Sequence, residues 1–222
     1  MFLKDNLYRY LKQQKELFGD LLFVDKHKFG NHKKNFMNGY TLQEFHDSIC
    51  LCKKCNLAKN RNQFVFGKGD ANADLMFVGE APGEKEDQKG EPFVGRAGKL
   101  LDKILRAINK NREKDVFITN VVKCRPPNNR DPLPSEIEKC EPYLKEQISM
   151  INPKLIVALG LVAARTLLKI DIPLKKMRGI THSYAGIPLR VTYHPAALLR
   201  NQKLKKGAWE DFQWVQNYLN TN

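Results

Sequence analysis

Four runs of consecutive apolar residues divide the chain into regular segments. They occupy residues 74–79, 115–122, 154–160 and 189–193. A short apolar run without alternation is typical of a strand that is buried on both faces of a parallel sheet. The residues between these runs have helical periodicity instead. This repetition of strand and helix predicts a three-layer α/β/α sandwich with a central, mostly parallel four-stranded sheet.

Apolar spacing and capping signals predict the helices around these strands. The longer ones are expected over residues 95–109, 135–151, 161–169 and 204–219. Two capping boxes, in which Ser or Thr precedes Glu by three positions, mark helix starts at Thr41 with Glu44 and at Ser135 with Glu138. Each long segment places its apolar side chains on one face, as a helix that covers a sheet must do.

Residues 1–41 have a different character and are interpreted as an N-terminal extension. Residues 6–18 have helical spacing of apolar side chains, whereas residues 27–39 are polar, basic and rich in Asn and Gly. A stretch of that kind without periodicity predicts a loop or a linker. We therefore divide the chain into this partly helical extension with its basic linker and one domain over residues 42–222.

Composition limits the class of protein. Of the 222 residues, 42% are hydrophobic and 28% are charged, which is typical of a globular domain with its own core. No apolar run approaches the roughly 18–20 residues of a membrane-spanning helix, and charged residues follow soon after Met1. We therefore expect a cytoplasmic protein without a membrane partner. Nothing in the sequence demands more than a monomer.

The net charge favours a polyanionic partner. Lys and Arg number 38 against 24 Asp and Glu, which gives a net charge of +14, and such an excess is typical of nucleic-acid binding. Residues 169–206 contain nine Lys or Arg, and Leu198 and Leu199 lie among them beside Arg200. An apolar wedge between cations suits insertion into a DNA stack. Two core leucines on a solvated basic face are an equal alternative.

Polar side chains follow the strands at the edge where parallel sheets bind their ligands. Asn120 ends the second strand and His194 follows the fourth. An amide offers both a donor and an acceptor for the edge of a pyrimidine, and a histidine can donate a hydrogen bond to a developing anion. Taken singly, such an Asn is more often a turn residue and such a His is more often structural.

The loop after the first strand is acidic in an otherwise basic protein. Residues 79–96 contain five Asp or Glu against three Lys or Arg. Carboxylates oppose binding to DNA phosphates, so they should have another use, such as holding water or stabilising positive charge on a sugar. Phe93 lies in the same loop and is a candidate for stacking on a base. Core packing is the more common role of a lone aromatic residue.

Five cysteines without a signal region favour metal ligands or free thiols over a disulfide framework. Cys52 and Cys55 form a C-x2-C pair, and Cys124 and Cys140 follow with fifteen residues between them. Four scattered thiolates can hold zinc or a [4Fe–4S] cluster, and the spacing alone favours neither. Alternatively, only the close pair is special and the other two are buried thiols. Cys50 is interpreted as a free thiol.

Several motifs occur in a fixed order along about residues 45–220. They are C-x2-C at 52–55, GEAPGEKED at 79–87, GEPFVGRAGKLLD at 90–102, ITNVVKCRPP at 118–127, Cys140, and HPAALLR at 194–200. Each alone is weak, but their order and the cysteine spacing together are specific. The chain closely resembles the family 4 uracil-DNA glycosylases, the iron–sulfur branch of the uracil-DNA glycosylase superfamily. Residues 1–41 lie outside the resemblance.

This resemblance implies a base excision repair enzyme that hydrolyses the N-glycosidic bond of uracil in single- or double-stranded DNA and leaves an abasic site. Phe93 would stack on the flipped uracil, Asn120 would read its pyrimidine edge, and His194 would bind its O2. The resemblance also implies a structural [4Fe–4S] cluster. Its ligands would be Cys52, Cys55, Cys124 and Cys140.

The resemblance implies further substrate contacts and one departure. Glu80 is a candidate catalytic residue, and Glu86 is a candidate for filling the space that a thymine methyl group would need. Ala81 stands where the best-known branch has a water-activating Asp, so no strong general base is expected at that position. The residues implied to bind the substrate, besides Phe93 and Asn120, are Gly79, Ala81, Gly83, Glu86, Leu198 and Arg200.

Two other functions are compatible with these residues. One is a glycosylase for other deaminated bases, as in the neighbouring iron–sulfur branch of the superfamily. The other is a non-catalytic iron–sulfur module that binds DNA. A further branch links covalently to DNA through a His-containing loop before the fourth cysteine. Residues 125–139 contain no His, so that activity is not expected.

Overall fold

A computed structural model describes residues 41–221, and a six-stranded sheet forms their centre. The strands are β1 (Lys68–Gly69), β2 (Leu75–Gly79), β3 (Val116–Asn120), β4 (Leu155–Leu159), β5 (Thr181–Tyr184) and β6 (Ile187–Thr192). Four of them coincide with the four apolar runs of the sequence. The helix expected at 6–18 and the loop expected at 27–39 lie outside the described residues.

The central strands are parallel and follow the order β3-β2-β4-β6. β1 pairs antiparallel with β3 at one edge, and β5 pairs antiparallel with β6 at the other. The predicted parallel sheet is confirmed, but the predicted count of four strands was wrong. β1 has only two residues, and β5 alternates exposed and half-buried positions, so neither edge strand contains an apolar run.

Helices cover both faces of this sheet. They are α1 (Leu42–Ile49), α2 (Glu84–Lys89), α3 (Arg96–Ala107), α4 (Pro134–Ile151), α5 (Leu161–Leu168), α6 (Leu174–Met177), α7 (Pro195–Arg200) and α8 (Lys205–Thr221). In β2, Met76 and Val78 join the core that includes α4 and α5, whereas Leu75 and Phe77 join the core that includes α3 and α8. Alternate residues of a strand point to opposite faces, so the three-layer sandwich is confirmed.

Helix α1 begins as predicted. The Thr41 hydroxyl accepts a hydrogen bond from the Glu44 N–H at 3.2 Å, and the Glu44 carboxylate accepts one from the Thr41 N–H at 2.6 Å. Helix α2 was not predicted, and it lies inside the acidic loop after β2. Across the stretch that the structure describes, none of the helices has the length and apolarity needed to cross a membrane.

Helix α4 starts one residue earlier than predicted. The expected capping box of Ser135 with Glu138 was wrong. Instead, Pro134 occupies the first helical position, and the Glu136 carboxylate accepts a hydrogen bond from the Leu133 N–H at 2.8 Å. Proline is preorganised for the first turn because its φ is already helical and it has no N–H to satisfy. The capping carboxylate therefore lies two residues before the one that the pattern indicated.

The register of β2 against its neighbours brings the strand ends to one edge. Gly79 lies opposite Asn120 of β3, and Val78 lies opposite Ala158 of β4. In turn, Leu159 of β4 lies opposite Thr192 of β6. The segments that leave these strands therefore start side by side, at the edge of the sheet where the sequence predicted the functional residues.

A buried lysine holds the segment that follows β3. The Lys123 ammonium donates to the Thr119 hydroxyl at 2.7 Å, the Asn120 main-chain oxygen at 2.7 Å and the Gln147 side-chain oxygen at 2.6 Å. A buried ammonium needs such partners because it has left water. Lys123 therefore ties the end of β3 to helix α4, one residue before Cys124.

We expect Gly98→Ala in α3 to destabilise the protein. In an exposed helix position this change usually stabilises by about 1 kcal/mol, but a Cβ at Gly98 would overlap the carbonyl group of Phe93. Overpacking of this kind should lower the free energy of unfolding by about 1–3 kcal/mol, measured by chemical denaturation. Lys103→Ala, at an exposed position of the same helix, is the control. An unchanged or more stable Gly98→Ala protein would contradict this packing.

Candidate active site

A cavity of about 520 Å³ opens at the carboxyl ends of the parallel strands. Its walls come from the segments after β2, β3 and β6, from the turn before α3 and from the loop before α4. Most of the predicted site residues therefore lie in one cleft, although they are far apart in the sequence. The predicted residues that line the cavity are Glu80, Ala81, Gly83, Glu86, Phe93, Asn120, His194 and Arg200.

Two predicted substrate residues do not line the cavity. Gly79 lies behind it, where a Cβ would overlap the Asn120 amide and approach the Phe93 ring to 2.6 Å. Leu198 is only 2% exposed and does not line the cavity, so its assignment as a DNA contact gains no support here and stays a prediction. Leu199 is 39% exposed and is the leucine of this pair that can meet a ligand.

Asn120 carries a buried oxygen without a partner. The side chain is 1% exposed, and its Oδ1 atom has no hydrogen-bond partner among the described residues. Leaving a buried acceptor unpaired costs about 1–3 kcal/mol. A ligand that brings an N–H group into the cleft would supply the missing bond. The unpaired oxygen therefore indicates a site built for a ligand with a donor at this point.

Phe93 lies in a turn with left-handed backbone geometry, at φ 53°. Its carbonyl oxygen accepts a hydrogen bond from Arg112 at 2.8 Å, and the same guanidinium binds the carbonyl of Pro92 and the carboxylate of Asp102. Bulky residues rarely adopt this conformation, so the arginine stabilises a strained turn. The Phe93 ring is buried, with its centroid 5.4 Å from that of His194.

Glu86 supports the same turn from the other side. Its Oε1 atom accepts hydrogen bonds from the N–H groups of Val94 and Gly95, both at 2.8 Å. A Cβ at Gly83 would lie 2.7 Å from its Oε2 atom. The carboxylate therefore lies between the loop after β2 and the turn that carries Phe93. Its predicted part in excluding a thymine methyl group stays a prediction.

His194 is placed as a neutral hydrogen-bond donor. Burial, assisted by the positive charge of Arg200, lowers its pKa to about 4. Its Nδ1 atom accepts a hydrogen bond from the Ala196 N–H at 3.1 Å. In a neutral imidazole one nitrogen accepts and the other carries the proton, so Nε2 carries the proton here. His194 can thus donate to an anion without being charged itself.

Glu80 is the carboxyl group with the most altered environment in the cleft. Burial and the nearby carboxylate of Asp131 raise its pKa from 4.5 to about 7. Asp131 also lines the cavity. Asp131 was not predicted from the sequence, because no motif or periodicity marks the loop before α4. Its place between two candidate cysteine ligands, which Glu136 and Glu138 share, did not distinguish it.

Cationic side chains continue from the cavity toward solvent. Arg200 is exposed and lines the cavity at the end of α7, and Lys203, Lys205 and Lys206 follow at exposed positions. Leu199 precedes this group. The described part of the basic segment therefore places an exposed apolar side chain and several cations at one side of the cleft, which suits a phosphate backbone.

The four cysteines predicted as ligands lie near one another and are all free thiols. Cys124 and Cys140 are buried, and Cys52 and Cys55 pack against the same core. Burial raises the pKa of Cys124 to about 11, and the charges of Cys140 and Cys55 act in the same direction. Three separate segments of the chain thus converge as a set of sulfur donors.

Hydrogen-bond donors surround these sulfur atoms. Arg61 donates to the Cys124 sulfur at 3.0 Å and to the main-chain oxygen of Cys50 at 3.0 Å. The Tyr143 hydroxyl donates to the Cys52 sulfur at 3.3 Å. Within residues 41–221, no three His, Cys, Asp or Glu side chains are arranged to hold one metal ion. In a polynuclear cluster each cysteine binds a different iron, so its ligands need not converge on one point.

The profile of one protein family matches residues 66–213 of the chain, and that family is described as the uracil DNA glycosylase superfamily. The matched range contains most of the cleft. The chain belongs to the uracil DNA glycosylase superfamily. Within the superfamily match lie Glu80, Phe93, Asn120 and His194, whereas the first two cysteines precede it.

Individual relatives refine this placement within the superfamily. The chain is 46% identical over 183 residues to the type-4 uracil-DNA glycosylase of Saccharolobus solfataricus, covering 79% of this chain and 85% of that protein. The chain is 45% identical to the type-4 uracil-DNA glycosylase of Archaeoglobus fulgidus, and the match covers 79% of this chain and 92% of that protein. A type-5 enzyme of Pyrobaculum aerophilum is 33% identical over 146 residues, covering 59% of this chain and 64% of that protein. Similarity to the type-4 proteins is therefore both higher and more extensive.

We expect Glu80→Gln to stabilise the protein more at pH 8 than at pH 5. The Glu80 pKa lies near 7 in the folded protein and near 4.5 otherwise, so its contribution to stability is lost as the pH rises through this window. Gln mimics the protonated acid at every pH. The difference in Tm between variant and wild type should increase from pH 5 to pH 8. Glu84→Gln, at an exposed position, controls for loss of a surface carboxylate, and equal differences for the two variants would contradict the shift.

Proposed function

We propose that the protein is a uracil-DNA glycosylase of base excision repair, which hydrolyses the N-glycosidic bond of uracil in DNA and leaves an abasic site. The similarity to type-4 uracil-DNA glycosylases over most of both chains supports this activity. The single structural observation that carries it is the unpaired buried oxygen of Asn120 in the cleft. Uracil has an N–H group between two carbonyl groups, and an amide side chain is complementary to that edge.

Base recognition requires that uracil leaves the duplex. A base inside the helix cannot reach a closed cleft, so it is flipped out at a cost of a few kcal/mol. The Phe93 ring then stacks on the base while Asn120 binds its edge. Leu199 enters the stack in place of the base, and Arg200 contacts the backbone beside it. Exposure of Leu199 and burial of Leu198 support this choice of wedge.

Bond cleavage separates charge between the base and the sugar. The C1′–N1 bond breaks with its electron pair on uracil, and the anion is stabilised by the Nε2–H of His194 and by main-chain N–H groups of the loop at residues 80–83, other than Pro82. The sugar acquires oxocarbenium character, which a carboxylate of Glu80 stabilises. Glu80 also holds the water that attacks C1′. The side chain of Ala81 cannot hold this water, because it has no proton acceptor.

The four cysteines are proposed to hold a [4Fe–4S] cluster. Their thiols come from three segments, and two of the sulfur atoms accept hydrogen bonds from Arg61 and Tyr143. A set of four cysteine thiolates fits such a cluster. When bound, the cluster supplies cross-links that order the segments around residues 52–55, 124 and 140. Catalysis is assigned to other residues.

The proposal also covers the partner, the location, the oligomeric state and the domain division of the protein. The net charge of +14 supports uracil-containing DNA, single- or double-stranded, as the partner, with no membrane involved. We place the enzyme in the cytoplasm, associated with the nucleoid through DNA, and expect it to act as a monomer. Residues 1–41 are proposed to be an extension to a catalytic domain over residues 42–222.

An oligonucleotide with one uracil tests the activity. Incubation followed by alkali should cleave the strand at the uracil position, and His194→Ala should lower the single-turnover rate by about 10²–10³. The variant also loses the hydrogen bond that caps α7, so its Tm should fall only modestly and the protein should stay folded. Faster cleavage at hypoxanthine or xanthine would indicate a glycosylase for other deaminated bases. Salt-sensitive DNA binding without alkali-labile sites would indicate a binding module and contradict the proposed activity.

Chemical analysis of protein purified without oxygen tests the cluster. We expect about four iron and about four sulfide per chain with broad absorbance in the visible blue. Cys140→Ser should lose much of this iron, whereas Cys50→Ser, which removes the cysteine outside the ligand set, should keep it. Colourless protein loaded with zinc, or equal iron loss in both variants, would contradict the assignment.

A further inference from the structure

Helix α2 carries two neighbouring carboxylates that bind different parts of the chain. Glu86 accepts two main-chain hydrogen bonds from the turn that carries Phe93. Asp87 is 1% exposed and binds residues 62–63 instead. Successive residues of a helix point in directions about 100° apart, so one short helix can bind two segments at once. The mechanism proposed above assigns no part to Asp87.

Four hydrogen bonds reach the buried Asp87 carboxylate. The main-chain N–H of Asn62 lies 3.0 Å from Oδ1 and 3.2 Å from Oδ2, and the Asn62 side-chain amide donates to Oδ2 at 2.7 Å. The N–H of Gln63 donates to Oδ1 at 3.4 Å. A buried carboxylate needs such donors because it has left water. Asn62 lies 25 positions before Asp87, so these bonds fix the place of α2 on another segment of the chain.

The end of α2 contacts the same segment. The side-chain amide of Gln63 donates to the main-chain oxygen of Gln88 at 3.0 Å. A Cβ at Gly90 would lie 2.5 Å from the Oε1 atom of Gln63, and Gly90 has a left-handed φ of 77°. Glycine adopts that conformation without a steric penalty. The helix is therefore bound to this segment along its second half.

Segment 61–63 is itself fixed to the core of the domain. Arg61 donates to the sulfur of Cys124 at 3.0 Å. Two residues beyond the segment, the N–H of Val65 donates to the main-chain oxygen of Lys123 at 2.8 Å. Both bonds lead to the stretch that follows β3. The segment thus offers α2 a support whose place is set by the central sheet.

We propose that Asp87 is a positioning residue for base stacking, which fixes α2 on segment 61–63 and thereby sets the place of the Phe93 ring. Glu86 connects the helix to the turn. The inference rests on the proposed function, because it concerns the same reaction. Asp87 does not line the cavity, so it acts only through other residues. The turn needs such support because Phe93 has a φ of 53°, which a bulky residue rarely adopts.

Single-turnover excision from an oligonucleotide with one uracil tests the proposal. Asp87→Ala removes all four hydrogen bonds, and we expect the maximal rate to fall about 10–100-fold, because small displacements of groups that hold the substrate are costly. The DNA concentration at half the maximal rate should change little, since the exposed cations are intact. Asp87→Asn keeps one acceptor oxygen and should recover part of the rate. Glu84→Gln, at an exposed position of the same helix, should keep the wild-type rate.

Two measurements separate positioning from loss of structure. Ile151→Ala removes a fully buried side chain at the end of α4, so it should lower the Tm as Asp87→Ala does but keep the wild-type rate well below the Tm. The iron content of Asp87→Ala should equal that of the wild type, because the cysteines and Arg61 are unchanged. Equal rate losses in Asp87→Ala and Ile151→Ala, or loss of iron in Asp87→Ala, would overturn the proposal.

A double variant shows whether Asp87 acts through the stacking ring. In a Phe93→Ala background, Asp87→Ala should slow excision by less than about twofold, because residues that act through one another are not additive. Rate losses that multiply, or a wild-type rate for Asp87→Ala alone, would contradict the positioning role and leave the glycosylase activity in place. A wild-type protein that produces no alkali-labile site at uracil would contradict the proposed function itself, and the role of Asp87 with it.

Discussion

The parallel pairing of β2 with β3 is the constraint on which the rest of the cleft depends. Because Gly79 lies opposite Asn120, the two strands end together, and the absence of a side chain at Gly79 leaves room for both the Asn120 amide and the Phe93 ring. A one-residue slip would turn every side chain of β3 to the other face. The positions of the residues proposed to read and to stack on the base are therefore set by hydrogen bonds of the main chain.

The cleft contains several acidic side chains, although the protein as a whole is basic. The chain carries an excess of fourteen positive charges, yet the cavity contains Glu80, Glu86 and Asp131. In the proposed function, the cations would bring DNA to the surface, while the carboxylates would face the sugar of the flipped nucleotide. His194 completes the separation, because its low pKa keeps it neutral beside these acids. The proposed mechanism thus assigns attraction of phosphates to one region and stabilisation of an oxocarbenium-like sugar to another.

Much of this arrangement could be predicted from the sequence, because it follows from the local pattern of apolar runs and the polar residues after them. The four apolar runs became the four parallel strands, and the residues after them met at one edge of the sheet. The edge strands were missed because a two-residue strand and a half-exposed strand have no apolar run. Leu198 and Leu199 could not be told apart, since adjacent residues of a short helix differ only in which one faces the core.

Long-range contacts account for what the sequence did not show. Arg112 reaches the Phe93 turn from beyond α3, and Asp131 joins Glu80 in the cavity lining from the loop before α4. Neither residue lies in a periodic segment or a recognisable motif. Their partners are determined by how the loops fold over the sheet. The order of residues along the chain does not show which loop residues come close together in space.

Lys123 gives the segment after β3 a further property. Its ammonium binds the main chain of Asn120, and the next residue is Cys124. Three residues separate the proposed base-reading residue from a proposed ligand of the cluster, and one of them, Lys123, holds this stretch in place. An insertion or deletion between Asn120 and Cys124 would therefore displace the two proposed sites relative to each other.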